Sequence, residues 1–367
     1  MTPATSAADI LWDSGTAYEL FISLHVLHEP DSFGIRPSYA AGVRSRIPAV
    51  ERKLLEDVYP FSGVPLKWLH SLPAPKDAIT ALWALKQIPP AERLTKIYRL
   101  NEPHSAKSPE EQEKHDRFHA ILTRAIEAGK WESEDVEFLM KIGKHKHGGV
   151  KKETVERYLD WWTRPAELGE GFLAAMQAYY QAFFEEEEKR VSPILQTGLE
   201  RAQGLASTMS FEELFFELSQ GIQVGDEFRA KRHIFIPAFW TTPLIFYDKL
   251  DQDTMLLFFG ARPAEMSAVP GELLPEGLVR SLKALADPTR LRILYYLSRE
   301  SLTPSELARR LKLRAPTVTH HLSELRLARL VELSIEHDER RYAIRRQALD
   351  STFENLGSFL NSNITED

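Results

Sequence analysis

The sequence predicts a mainly α protein made of a large helical N-terminal domain and a smaller C-terminal α/β domain. Apolar residues recur at helical spacing over most of residues 16–220, and an aromatic, β-rich passage follows at 233–259. The C-terminal region then places several short amphipathic helices before two stretches in which apolar and polar residues alternate. This order predicts helices packed beside a β-hairpin.

Proline and glycine mark the boundary between the two predicted domains. They are frequent between residues 261 and 277, where no periodic pattern is present. We therefore expect the N-terminal domain at 1–260, a linker at 261–277 and the C-terminal domain at 278–367. Residues 1–14 have the composition of a loose tail. The β-rich passage is expected to form two strands of a hairpin or small sheet.

The composition is that of a globular protein in a reducing compartment. Hydrophobic residues make up 43% of the chain and charged residues 27%, and cysteine is absent. The lack of cysteine excludes disulfides, thiolate metal sites and cysteine nucleophiles. No basic and apolar signal segment begins the sequence, and no apolar run reaches the ~20 residues of a membrane-spanning helix. We expect a cytoplasmic protein with no membrane partner and no cofactor.

Charge is distributed unevenly along the chain, whose net charge is −7. Residues 277–349 contain 15 Lys and Arg against 8 Asp and Glu, a net charge of +7. The remaining residues contain 31 basic and 45 acidic side chains, a net charge of −14. A basic module joined to an acidic body is typical of nucleic-acid binding, although charge alone would fit a solvated basic face equally well.

The C-terminal region contains two short helices in succession. Thr303, Pro304 and Glu306 match a capping box with proline at the first helical position, which predicts the start of the first helix. A basic turn follows, and Pro316 opens the second helix. The second helix carries one apolar stripe, because Val318, Leu322 and Leu325 recur at helical spacing, and its other side is small and polar.

The elements around these two helices complete a recognisable order. Helices are expected at 276–286 and 289–297, strands at 331–335 and 341–344, and a last helix at 346–360. This order is that of a winged helix-turn-helix domain, in which flanking helices precede a helix–turn–helix, a hairpin and a final helix. The fold class is therefore a large helical domain with a small β-rich segment, followed by a winged helix-turn-helix.

Two segments of this region, ALADPTRLRILYYL and LTPSELARRLKLRAPTVTHHLSELRLARLV, resemble the ArsR/SmtB family of bacterial transcription regulators. The resemblance covers about residues 278–360. It implies a homodimer formed by the first and last helices, with the helix at 316–327 in the major groove of double-stranded DNA and the hairpin at 331–344 as the wing. It also implies binding to a two-fold operator as a transcriptional repressor.

The sequence departs from the family pattern at three points. Arg314 stands where a serine cap is common, and Arg329 replaces the glycine that usually follows the second helix. A non-glycine residue in a left-handed conformation costs about 1 kcal/mol. The cysteine metal site of the founding members is impossible here, and the last helix contains no histidine. We therefore expect a regulator that does not sense metal.

The solvent face of the second helix is expected to contact bases, and the cations around it are expected to contact phosphates. The residues expected at bases are Thr317, Thr319, His320 and Ser323. Those expected at phosphates are Arg309, Arg310, Lys312, Arg314 and Arg326, together with Arg340 and Arg341 on the wing. His321 lies about 100° from His320 around the helix and is expected to pack inward.

An aromatic set in the N-terminal domain is the candidate site for a small apolar effector. Its members are Trp161, Tyr179, Phe235, Phe239, Trp240 and Phe246. The same rings would also suit an ordinary core or a subunit interface. Some ArsR-like proteins resemble this chain over most of its length, with an N-terminal helical domain that ends in a similar passage, but that likeness supplies no ligand.

Other motifs give weaker signals, and no catalytic or metal site is expected. His115 and His119 have the four-residue spacing of a metal pair on a helix, but no third ligand is evident, so surface histidines are the simpler interpretation. The basic loop at 144–147 is better explained by solvation than by ligand binding. The glycine-containing stretch 221–225 does not follow a predicted strand, which argues against a dinucleotide-binding loop.

Two other classes of protein remain open from the sequence. One is a dimeric protein-interaction scaffold, in which the winged helix serves only for contacts between proteins. The other is an enzyme with an appended winged helix and a site among His25, His28 and Glu29. No established catalytic motif supports the enzyme.

Overall fold

The structure is a computed structural model that describes residues 9–100, 108–143, 149–225, 228–263, 266–272, 274–336 and 339–361. The basic loop at 144–147 lies outside these residues. The chain divides into two compact units. The helical unit comprises residues 15–30 and 36–190. The winged-helix unit comprises residues 1–14, 31–35 and 191–367.

The helical unit consists of short and medium-length helices, as the apolar periodicity predicts. They are α1 (Thr16–His28), α2 (Pro30–Phe33), α3 (Pro37–Ser45), α4 (Ala49–Val58), α5 (Leu66–His70), α6 (Ala78–Gln87), α7 (Arg93–Ile97), α8 (Pro109–Ala128), α9 (Ser133–Ile142), α10 (Lys152–Trp162), α11 (Pro165–Tyr179) and α12 (Glu185–Ala206). Two of them, α2 and α12, also contribute residues to the winged-helix unit. One π-helical turn, Tyr180–Phe184, joins α11 to α12.

Helix α1 is the most deeply buried element of the helical unit. It is apolar on nearly all sides, and only His25 and His28 among its residues are partly exposed. Its one buried hydroxyl pair is satisfied internally, because Ser23 Oγ lies 2.8 Å from the hydroxyl of Tyr179. A helix that is apolar all round belongs in the centre of a core, where the neighbouring helices cover it.

A four-stranded sheet and one helix form the first half of the winged-helix unit. The elements are β1 (Asp9–Trp12), α13 (Phe211–Leu218), β2 (Arg232–Ala238), β3 (Phe246–Lys249) and β4 (Thr254–Gly260). The strand order is β1–β2–β4–β3. Strands β1, β2 and β4 are parallel, whereas β3 runs antiparallel to β4.

Two expectations for this region are wrong. Residues 9–12, expected within a loose tail, form β1 and pair with β2. The β-rich passage contains three strands rather than two, because the segment around Pro243 ends one strand and precedes the next. Strands β2 and β4 are buried along almost their whole length, which suits parallel strands that are covered on both faces.

The second half of the winged-helix unit has the predicted winged-helix order. Its elements are α14 (Glu276–Leu285), α15 (Pro288–Leu297), α16 (Pro304–Leu311), α17 (Ala315–Leu327), β5 (Val331–Glu336), β6 (Glu339–Ile344) and α18 (Arg346–Asn361). Strands β5 and β6 are antiparallel, and Leu302 adds a bridge to Tyr342 of β6. One hydrophobic cluster joins α15, α16, α17 and the hairpin.

The residues around the predicted linker are partly built into this unit. Arg262 is buried, donates a hydrogen bond to the carbonyl oxygen of Thr242 and forms an ion pair of 2.9 Å with Glu276. The domain limits at 260 and 278 stay a prediction. Among the described residues, no helix is both long and apolar enough to span a membrane.

The apolar stripe of α17 provides a test of this packing. We expect Leu322→Ala to destabilise the α15–α17 region by roughly 2–5 kcal/mol, because Leu322 is 1% exposed and its loss leaves a cavity. His320→Ala, two residues away on the exposed face, should change stability by less than about 0.5 kcal/mol. Native-state hydrogen exchange measured on peptides from residues 288–331 separates the two outcomes, and equal exchange in both variants would contradict the packing.

Candidate nucleic-acid interface

The first helix of the helix–turn–helix begins with the capping box that the sequence predicts. The amide of Thr303 donates to Glu306 Oε2 at 2.8 Å, and the amide of Glu306 donates to Thr303 Oγ1 at 3.2 Å. The helix ends at Lys312, whose φ of 56° is left-handed. This sharp end turns the chain directly into α17.

Helix α17 separates an apolar face from a polar face. Val318, Leu322 and Leu325 are at most 1% exposed, in the hydrophobic cluster of the winged helix. Thr317, Thr319 and His320 are exposed, and Ser323 is half-buried. The four residues expected at bases therefore lie outside the buried stripe. Short polar side chains on the exposed face of a helix fit the width of a DNA major groove.

The hydroxyl of Thr319 already has a partner within the helix. Thr319 Oγ1 donates to the carbonyl oxygen of Ala315, four residues earlier, at 3.0 Å. This bond occupies the hydroxyl proton and fixes the side chain, so its methyl group and oxygen lone pairs face outward. The side chain can therefore contact a thymine methyl or accept a hydrogen bond without losing its internal bond.

The cations at the start of α17 differ in how strongly the protein holds them. Lys312 and Arg314 are exposed and form no ion pair with the residues that the structure describes, and Arg314 gives the helix no side-chain cap. Arg309 is also exposed. Arg310 is exposed but forms an ion pair of 2.7 Å with Glu300. Arg309, Lys312 and Arg314 are thus the cations most readily available to phosphates.

The two wing arginines are also unequal. Arg340 of β6 is exposed. Arg341 is half-buried, donates to the carbonyl oxygen of Ser301 at 2.8 Å and lies 3.4 Å from Glu306. Its guanidinium therefore fixes the wing to the start of α16, which leaves Arg340 as the more accessible wing cation.

Arg326 is placed differently from what a phosphate contact requires. Arg326 is only 8% exposed. Its guanidinium donates hydrogen bonds to the carbonyl oxygens of Ser219 and Gln220, which lie at the end of α13. Burial, and then nearby Arg345, lowers the pKa of Arg326 to about 10, so it remains charged at neutral pH. A cation at a helix C-terminus is favoured by the helix dipole. We therefore correct its expected role to an internal one.

The segment after α13 also pairs with the wing, which the sequence analysis did not anticipate. Ile222 forms a parallel bridge with Leu333 of β5, whose amide donates to the carbonyl of Gly221 at 2.8 Å. The amide of Gln223 donates to the carbonyl of Leu333 at 2.9 Å. A side chain at position 225 would meet the carbonyl oxygen of Ile335 at 2.1 Å, which explains glycine there. The apolar and polar alternation of residues 221–225 was the available signal.

Two further expectations on α17 and its end are confirmed. Arg329 has a φ of 61°, the left-handed conformation expected for a position where glycine is usual. The side chain of His321 is 15% exposed and faces Asp287 at 4.0 Å, so this ring packs inward. Burial lowers the pKa of His321, which keeps the ring neutral at pH 7.

The aromatic set proposed for an apolar effector is divided between the two units. Tyr179 lies in the core of the helical unit, where Trp161 is half-buried. Phe235, Phe239 and Trp240 are at most 1% exposed in the winged-helix unit. Phe246 of that unit is half-buried and packs edge-on against Phe33. These placements correspond to the packing alternative.

The histidine candidates also have structural surroundings. The ring of His28 stacks on Tyr59 with 4.4 Å between centroids, its Nδ1 lies 2.8 Å from the carbonyl of Leu24, and burial lowers its pKa to about 3. Such a ring is neutral at pH 7 and is not poised for proton transfer.

His115 and His119 lie 6.4 Å apart between ring centroids. No group of three metal-ligating side chains is present among the described residues.

The helix–turn–helix, its wing and the flanking helices together define a winged helix-turn-helix domain. Residues 287–332, from α15 into β5, match the family described as bacterial regulatory protein, arsR family. The C-terminal region of the chain is thus an ArsR-family helix-turn-helix domain, and the resemblance stated from the sequence is confirmed for this region.

Individual known proteins match the chain over short stretches. The chain is 41% identical over 54 residues to the HTH-type transcriptional regulator KmtR of Mycobacterium tuberculosis. This match covers 15% of the chain and 42% of that protein, so the chain spans less than half the length of the relative. NolR from Sinorhizobium fredii has a solved structure with 31% identity, which covers 23% of this chain and 80% of that chain with a TM-score of 0.20.

The internal role of Arg326 leads to a prediction about stability. We expect Arg326→Met to lower the protection of residues 219–225 and of the Leu333 amide by about 1–3 kcal/mol, because two buried carbonyls lose their donor. Arg340→Met, at an exposed position, should leave this protection unchanged. Hydrogen exchange followed by mass spectrometry measures both variants. Unaltered exchange in Arg326→Met would show that Arg326 does not hold the segment.

Proposed function

We propose that the chain is a DNA-binding transcriptional regulator that recognises a specific operator through α17. The observation that supports this most strongly is the division of α17, which buries an aliphatic stripe and exposes Thr317, Thr319 and His320 beside exposed cations. The match of residues 287–332 to the arsR family supports the same function. A helix of this kind places its exposed side chains against base edges in the major groove.

The residues assigned to DNA divide into two groups by the contacts that they would make. We assign Thr317, Thr319, His320 and Ser323 to base edges, because their short side chains carry hydrogen-bonding groups and a methyl group. We assign Arg309, Lys312 and Arg314 to phosphates on one side of the groove, with Arg340 on the wing. Phosphate contacts supply affinity that depends on salt, and base contacts supply sequence specificity.

The functional form is proposed to be a homodimer on a two-fold operator. Helix α18 carries an apolar stripe of which Phe353 is 57% exposed and Leu360 is 70% exposed. Leu356 lies between them on the same side of the helix. An apolar stripe of this kind fits the self-complementary interface of a two-fold dimer. Two copies of α17 would then contact half-sites roughly 34–36 Å apart.

Repression is the mode of action that we propose. A dimer that occupies an operator within a promoter excludes other proteins from the same DNA, and no activating partner is needed. We assign no catalytic role to the winged-helix domain. The regulatory signal is expected to act through the remainder of the chain, which the family match does not cover.

Base recognition is tested by the double variant Thr319→Ala/His320→Ala. We expect it to lose at least roughly 30-fold in affinity for an operator from the chain's own upstream region, because two base contacts of about 1–3 kcal/mol each are removed. Its affinity for unrelated DNA should stay unchanged. Arg314→Ala should instead weaken binding to both DNAs alike. Fluorescence anisotropy at fixed salt distinguishes these patterns, and a double variant with full specificity would disprove the assignment.

The dimer is tested on α18. Phe353→Glu should convert the protein to monomers at micromolar concentration, because it buries an unpaired charge in the proposed interface. Asn355→Glu introduces the same side chain at an exposed position on another side of the helix and should leave the dimer intact. Sedimentation velocity measures both. A dimer that persists in Phe353→Glu would exclude this interface.

A further inference from the structure

A cleft of about 580 Å³ lies within the winged-helix unit. Its walls come from α12, α13, the end of β4 and the residues that directly follow α17 and β6. Ile194, Leu218 and Phe259 give it an apolar part. The volume lies within the range of roughly 300–1,000 Å³ that small-molecule sites occupy.

The charged side chains of this cleft are strongly unbalanced. Arg201, Arg262, Arg329 and Arg345 line it, and Glu217 is the one carboxylate among the described lining residues. The carboxylate of Glu217 is shared between two arginines, because its oxygens lie 3.3 Å from Arg201 and 3.9 Å from Arg345. Arg262 is bound outside the cleft by Glu276 at 2.9 Å. The cleft therefore holds more positive charge than the protein itself neutralises.

Arg329 is the least compensated of these side chains. It is half-buried, and its guanidinium forms no ion pair with the residues that the structure describes. Burial, together with the positive charges of Arg262 and Arg345, lowers the pKa of Arg329. An arginine side chain nevertheless keeps its proton at physiological pH. The folded protein therefore bears an electrostatic penalty here, which a bound anion would relieve.

The backbone at Arg329 adds to this penalty. Its φ of 61° is a conformation that glycine adopts without strain and that is strained for other residues. Glycine at this position would remove both the strain and the repulsion, and yet the position carries an arginine that adds a further charge to the cleft. Arginine at this position therefore makes the folded protein less stable than glycine would. This cost favours a role for Arg329 in binding.

Arg345 contributes an unsatisfied donor. Its side chain is 13% exposed, its guanidinium lies over the ring of Phe216, and its Nε is buried without a hydrogen-bond partner among the described residues. A buried donor that lacks a partner destabilises the folded state, so such groups usually have one. An anion that enters the cleft could bind the exposed part of this side chain and offset that cost.

We propose that this cleft binds a small organic polyanion, a molecule with at least two phosphate or carboxylate groups and a compact apolar part. The planar guanidinium groups of Arg329 and Arg345 match the geometry of both kinds of anion and can bind them through paired hydrogen bonds. Ile194 and Phe259 contact the apolar part. This ligand differs from the apolar effector that the aromatic residues suggested.

The cleft is joined to both elements that the proposed function places on DNA. Gln220 lines it, and the carbonyl of Gln220 accepts a hydrogen bond from Arg326 of α17. Gly221, the next residue, is paired with β5 of the wing. An anion that draws Arg329 and Arg345 together would therefore shift Gln220 and Gly221, which position α17 and the wing. This regulatory consequence depends on the proposed function, whereas anion binding does not.

Isothermal titration calorimetry of the full chain with pyrophosphate, and separately with citrate, tests the site at constant ionic strength. At least one probe should bind at a single site with a Kd of roughly 1 mM or lower. In Arg329→Gly the Kd should rise roughly tenfold or more, because a charge-assisted contact is lost. Failure of both probes to saturate, or unchanged binding by Arg329→Gly, would overturn the proposal.

Arg99→Gly is the matched control. Arg99 has a φ of 51° and does not line the cleft, so this variant makes the same backbone change at another residue and should bind the probe as the wild type does. Without probe, Arg329→Gly should melt at or above the wild-type temperature, because strain and repulsion are removed. A lower melting temperature would make Arg329 a structural residue and would also overturn the proposal.

DNA-binding measurements separate the site from its regulatory consequence. At matched ionic strength, a saturating probe should change the operator affinity of the wild type by at least about threefold and that of Arg329→Gly by less. Anion binding without this change would overturn the regulatory half alone. If the wild type bound no DNA while calorimetry showed the anion site, the proposed function would fail and the site would stand.

Discussion

The hydrogen bonds from the buried guanidinium of Arg326 to the carbonyls of Ser219 and Gln220 are the interaction on which the winged-helix unit depends most. A charged group in the interior is tolerated only when its donors are satisfied, and these carbonyls satisfy it at the end of α13. The same turn then continues into Gly221 and Ile222, which pair with the wing. One short segment thus positions both the helix and the hairpin that face DNA in our proposal.

Arginine serves at least three purposes in this unit, and burial distinguishes them. Arg314 is exposed and remains available to a phosphate. Arg326 is buried and completes the end of another helix. Arg329 is half-buried in a cleft with other guanidinium groups and lacks an ion-pair partner among the described residues. The basic character of residues 277–349 is therefore a sum of distinct functions, of which DNA contact is only one.

Local signals predicted the elements well, and long-range pairing could not be predicted from the same signals. The capping box at Thr303, the stripe at Val318 and the left-handed Arg329 each follow from a few neighbouring residues. Strand β1 could not be recognised because its partner β2 lies more than 200 residues away in sequence. Arg326 was misassigned for a related reason, since charge alone does not show which carbonyls a folded chain will bring to it.

The position of β1 in the chain has a consequence for how the protein is made. Residues 9–12 are synthesised more than 200 residues before their partner strand β2, and the winged helix follows later still. The edge of β1 must therefore remain unpaired while the helical unit is translated and can fold. Formation of this sheet therefore requires that translation has passed β2 and β4, so a chain that terminates before residue 232 would leave β1 without its partner.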